Sequence, residues 1–154
     1  MDIRIKQLIG ELKLAEITYR MSSLRMSDQP AKDQLITLAE RKMKFIKGII
    51  DQHDETFERL MLEVLVMVKP EHDKLEIELD HLLLQGWETE ILDYCLDRES
   101  KIEKLYKQLI TDAQYDEFLK ALLMSQLTDT TDIINELEDT KAVFESIFSL
   151  ESAI

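Results

Sequence analysis

Between residues 91 and 109, Leu92, Cys95, Ile102, Tyr106 and Leu109 recur every three or four positions, and Glu99 stands in the middle of their stripe. This is the period of a helix with one buried face. A carboxylate on that face looks into a bundle interior, where an unpaired charge costs several kcal/mol. Glu99 therefore requires a partner: an arginine, a second carboxyl sharing a proton, or a metal ion. A chain built around such a stripe must be helical, and the rest of the sequence agrees. With 3 Gly and 2 Pro in 154 residues, long helices have few interruptions.

A first helix is predicted over 2–26, burying Ile5, Leu8, Leu12, Ala15 and Tyr19. Gly10 weakens it by up to ~1 kcal/mol relative to alanine, a loss that packing can absorb. After the turn Ser27-Asp28-Gln29-Pro30, with a capping side chain and a proline suited to a first turn, a second helix is predicted over 31–67. Its stripe is Leu35, Ala39, Met43, Ile46, Ile50, His53, Phe57, Leu60 and Val64, and Arg41, Lys42, Lys44 and Lys47 form a local basic face, read as a solvated surface or a partner for acidic neighbours rather than an anion site. Lys69-Pro70 is expected to end this helix, because the residue before proline is driven out of the α region. Residues 74–80 alternate strictly between polar and apolar, the period of extended chain. Residues 69–88 thus read as a long extended crossover, with Gly86 and Trp87 leading to a third helix over 89–110. The capping-box spacing of Thr111-Asp112-Ala113-Gln114 opens a fourth helix, 112–137, with Phe118 or Leu119, Leu122, Gln126, Thr130, Ile133 and Leu137 inward. A C-terminal helical segment, 138–154, carries Val143, Phe144, Ile147, Phe148, Leu150 and Ile154.

The expected fold is all-α and a single domain over 1–154: two antiparallel helical hairpins joined by a long connection. The lone Cys95 cannot form an internal disulfide, so a reducing, cytoplasmic location is expected. A net charge of −13 disfavours nucleic acid and anionic lipid. No apolar run approaches the ~20 residues of a membrane span.

In its paired half-repeats the chain resembles the ferritin-like superfamily, most closely the rubrerythrin-related branch. There, a first helix supplies a Glu with a Tyr two turns on, a second supplies Glu-x-x-His, and the second hairpin repeats the set to hold two irons. Glu99 and Tyr106 have the Glu-to-Tyr spacing. In the first hairpin Tyr19 matches, but Leu12 stands at the ligand position, and Glu16 and Glu103 correspond one turn later. Leu38-Ala-Glu40-Arg-Lys-Met43 places Met43 where the His would be, and Gln126-Leu-Thr-Asp129 replaces Glu with Gln and His with Asp.

The resemblance implies a ferritin-like four-helix bundle with a degenerate di-iron site, of whose six ligands Glu40 and Glu99 survive. Two readings follow. In one, the protein has lost di-iron catalysis and is a non-catalytic dimerising or adaptor module, a homodimer with a protein partner. Glu99 is then neutralised by protonation, by a hydrogen bond from Gln126 or Tyr19, or by a basic side chain such as Arg98. In the other, Glu40 and Glu99 hold a weakly bound iron, manganese or zinc ion, with Glu16, Glu103, His53 or Asp129 completing the sphere, and any activity is that of a di-metal oxidoreductase. The literal Glu78-Leu-Asp-His81 reads as a chance match, Cys95 as a small core residue, and Tyr19 and Tyr106 as packing residues with satisfied hydroxyls.

Overall fold

The structure, a computed structural model, describes residues 1–84 and 88–153, with side chains throughout these except at 148, 149 and 151–153. Five helices account for nearly all of it: α1 (Ile3–Arg25), α2 (Gln29–Asp51), α3 (Phe57–Leu84), α4 (Glu88–Ile110) and α5 (Glu117–Ala153). There is no strand among the described residues. No helix is long and apolar enough to cross a membrane, among the same residues.

Local chemistry explains the helix starts. The Asp2 carboxylate accepts from the Arg4 amide at 2.6 Å, and Asp28 accepts from the Ala31 amide at 2.9 Å with Pro30 in the first turn. Each cap satisfies one of the amides that a helix N-terminus leaves without a partner. α5 begins later than the capping-box spacing predicts. Asp116 caps it through the Leu119 amide at 2.8 Å, whereas the Thr111 hydroxyl donates back to the Gln108 carbonyl of α4 at 2.9 Å. The C-terminal segment continues α5 without a break as far as Ala153. Phe148 and Ile154 lie outside the described side chains.

Two expectations fail between α2 and α4. The predicted helix 31–67 is interrupted after Asp51, where the run Gln52-His53-Asp54-Glu55-Thr56 offers no apolar residue to the core. Of these, His53, Asp54 and Thr56 are also weak helix formers. The extended crossover is not formed: α3 passes straight through Pro70 to Leu84, and residues 85–87 of that expectation lie outside the described residues. Proline costs an interior helix about 3 kcal/mol, chiefly through the lost bond to the carbonyl four residues back. Here Val66 and Pro70 both lie on the solvent side, where water can take up that carbonyl. Burial of Val64, Val68, Leu75 and Leu79 favours the helix by roughly 1.5–3 kcal/mol per side chain. The alternating stretch 74–80 was compatible with either period, because Leu75 and Leu79 also share a helical face. Helix formation leaves Ile77 72 % exposed.

α1 and α2 form one antiparallel hairpin and α4 and α5 the other, and α1 also packs on α4 and α2 on α5. α3 lies outside this four-helix core, against α1 and α4. It runs parallel to α1: Lys6 pairs with Glu63 near one end and Arg25 with Asp80 near the other. α4 runs antiparallel to α1, with Arg4 paired to Asp112 and Ser27 hydrogen-bonded to Glu88. α3 thus returns the chain along the bundle, so α2 and α4 point the same way. The connection between the two hairpins is therefore a helix that starts at Phe57, and not the extended crossover expected over 69–88.

Two glycines differ in what they permit. A Cβ on Gly10 would meet Met67 Cε at 2.7 Å and Val68 Cγ1 at 3.2 Å, so this glycine lets α3 approach α1. A Cβ on Gly48 would meet only ordinary contacts, the nearest being Gln126 Nε2 at 3.4 Å. Gly48→Ala should therefore stabilise the protein by about 0.5–1 kcal/mol. Gly10→Leu should destabilise it by about 1–3 kcal/mol through overpacking. Urea unfolding monitored by circular dichroism checks both signs.

Candidate functional site

Glu99 is fully buried, together with the whole apolar stripe of α4 that surrounds it. Its partners come from two other helices. Lys42 Nζ of α2 donates to Glu99 Oε2 at 2.8 Å, and both side chains are completely shielded from solvent. The Tyr19 hydroxyl of α1 donates to the other carboxylate oxygen. The ammonium also lies 5.1 Å from the centre of the Phe45 ring, within range of its negative face. A charge cluster thus ties α1, α2 and α4 together at the centre of the bundle.

Lys42 is the residue that sequence reasoning missed. Grouped with Arg41, Lys44 and Lys47 it reads as part of a surface that is solvated or paired with acidic neighbours, yet Leu38, Lys42, Phe45 and Ile49 follow one another by four, three and four positions and are all buried. That register was the available signal. The stripe drawn through Met43 lies one residue away, and Met43 is only partly buried.

A second polar layer lies nearby. Tyr106 Oη donates to Gln126 Oε1 at 2.7 Å, and Gln126 Nε2 donates to the Phe45 carbonyl at 3.1 Å. Thr130 closes onto the Gln126 carbonyl at 2.8 Å. Gln126 thus binds Tyr106 and the α2 backbone.

Burial sets the proton affinities. It holds the Tyr19 hydroxyl well above the usual tyrosine range, and the Glu99 charge adds to the effect. Tyr106 is raised in the same way, with smaller contributions from Glu99 and Asp129. Lys42 is lowered by burial, against the pull of Glu99. The Cys95 thiol, within 3.7 Å of the Ser22 hydroxyl, is pushed up to about 12 by burial. It stays protonated near neutrality and is no nucleophile.

The remaining residues considered as ligands are dispersed. Glu40 is exposed on α2. Glu16, buried on α1, is held by Arg20 at 2.7 Å and Lys13 at 3.2 Å. Glu103 accepts from Lys107 and from the Thr131 hydroxyl, and Asp129 is half-buried on α5. His53 lies beyond the end of α2, with Nδ1 2.9 Å from the Ile49 carbonyl oxygen. Arg98 pairs with Glu11 and Glu71. Glu78 and His81 sit on α3, one turn apart on a helix rather than on opposite faces of extended chain, and Glu78 accepts from Tyr94.

Among the described residues no group of three or more His, Cys, Asp and Glu side chains converges in a way that could hold a metal ion. The donor set therefore does not fit the two-metal centre that the resemblance implies: one carboxylate faces a lysine, another faces solvent, and a thioether and an amide stand at further ligand positions. What the arrangement does chemically is neutralise a buried carboxylate and fix three helices in register. Compared with protein-family models, curated proteins and solved structures, the chain matches none of them.

Proposed function

We propose that this chain is a ferritin-like bundle without di-iron chemistry that acts as a non-catalytic dimerising or adaptor protein. The observation that carries this reading is the Lys42 ammonium bound to Glu99 where both are fully buried. A carboxylate that accepts from an ammonium and a phenol has its charge balanced and its lone pairs engaged, leaving it poorly disposed toward a cation. The helix order supports the ferritin-like part of the reading, because α3 returns the chain so that α2 and α4 run in the same direction. Apolar side chains left exposed on α3 and α5 support a role in contacts with other chains.

The test is elemental analysis of protein purified without chelators, followed by anaerobic Fe(II) titration of wild type and Glu99→Ala. The expected result is no stoichiometric metal in either protein. Stoichiometric metal in the wild type that is lost in Glu99→Ala would overturn the proposal in favour of an altered carboxylate centre.

A further inference from the structure

The described residues leave the outer face of α3 uncovered, and that face is apolar. Leu62 is 67 % exposed, Val66 76 %, and Pro70 follows one turn on. The opposite face buries Leu60, Val64 and Val68, so this part of the helix is apolar nearly all round. A helix with that pattern is normally enclosed by protein.

The stripe is also symmetric about one residue. Leu62 and Pro70 stand four positions either side of Val66, and Arg59 and Asp73 stand seven positions either side, two helical turns each way. Both charges are exposed and engaged one turn away on their own helix, Arg59 with Glu63 at 3.8 Å and Asp73 with Lys69 at 2.8 Å. Turned end for end about Val66, the stripe lays apolar residues on apolar residues and brings each Arg59 opposite the other copy's Asp73. A surface that complements its own reverse is the requirement for a two-fold, isologous contact. An unrelated helix has no reason to match this palindrome.

We propose that the outer face of α3 seats a second copy of this chain, with the two α3 helices antiparallel about Val66. This rests on the dimerising reading above and specifies its surface. The contact spans one helix face and belongs among small, concentration-dependent interfaces. At physiological salt the repulsion between two acidic chains is screened within about 8 Å, which leaves the local charge pairs to set the register.

Sedimentation equilibrium of the full chain over about 1–100 µM tests this. Wild type should form a dimer. Val66→Glu, which places two carboxylates together on the axis, should be monomeric with unchanged helix content. Arg59→Asp should weaken association at least tenfold, and Arg59→Asp combined with Asp73→Arg should restore it, a rescue expected only if the partner carries the same two substitutions. A monomeric wild type overturns the surface together with the dimerising reading. A dimer that survives Val66→Glu overturns the surface alone. Failure of the charge swap to restore association overturns the antiparallel pairing.

Discussion

Lys42→Met is expected to destabilise the protein by about 3–5 kcal/mol, the loss seen when one partner of a buried ion pair is removed. The substitution preserves side-chain length and helix propensity, so the penalty comes from Glu99, left in the core with only the Tyr19 hydroxyl. Glu99→Gln should also be strongly destabilising, because it leaves the Lys42 ammonium buried without a counter-charge. These single losses should not add. The triple variant Lys42→Met, Glu99→Leu, Tyr19→Phe removes every polar member of the cluster and should return to within about 1 kcal/mol of wild type, since apolar replacement of a buried pair is often neutral or stabilising. Chemical denaturation of the three proteins decides the matter. A near-neutral Lys42→Met would mean that Glu99 is protonated, and the ion pair would be wrong.

The second large effect is loss of stability at high pH. Cys95 has an ordinary value of 9.0 and is pushed up to about 12, and Tyr19 and Tyr106 are raised well above 10.0. Each group keeps its proton in the folded protein at pH values where the unfolded chain has released it. Their stabilisation is complete below the unfolded values and disappears as pH rises toward the folded ones. Lys42 has the opposite sign: its folded value lies below 10.5, so the unfolded chain holds the extra proton, and this term favours folding more as pH rises to 10.5. Above pH 10.5 the lysine term is constant and the other three act together, giving a slope of about 4 kcal/mol per pH unit. A domain of typical stability, about 5–15 kcal/mol, should then unfold cooperatively near pH 11–12. Circular dichroism at fixed temperature should show helix loss coinciding with the ionisation of Tyr19 and Tyr106, read by ultraviolet absorbance, with Tyr94 also late because partial burial and its hydrogen bond to Glu78 raise it to about 12. Ionisation of all four near pH 10 with the helices intact would contradict the burial of Tyr19 and Tyr106.

Helix periodicity was legible wherever it ran undisturbed. The stripes of α1 and α4 are buried residue for residue, from Ile5 to Tyr19 and from Leu92 to Leu109. The sequence misled where a local signal competed with packing. Lys69-Pro70 and the alternating 74–80 both argue for extended chain, but their weight is local. The burial of Val68, Leu75 and Leu79 depends on α1, which is distant in sequence, and on the packing angle of α4, which no local signal sets. The polar run 52–56 ends α2 even though a spacing of apolar residues continues across it, because those five residues give the core nothing to bury.

From the sequence alone it follows that the chain is helical, that Glu99 faces a core, and that this carboxylate has a partner. Each conclusion rests on spacing within a single helix and on the cost of an unpaired buried charge. The tertiary structure alone decided which partner it is. Lys42 sits in a run of basic residues and looks like surface until α2 is placed against α1 and α4. A shift of one residue in helical register, about 100° of rotation, separates a solvated lysine from the cation at the centre of the bundle. That angle is fixed by packing between helices.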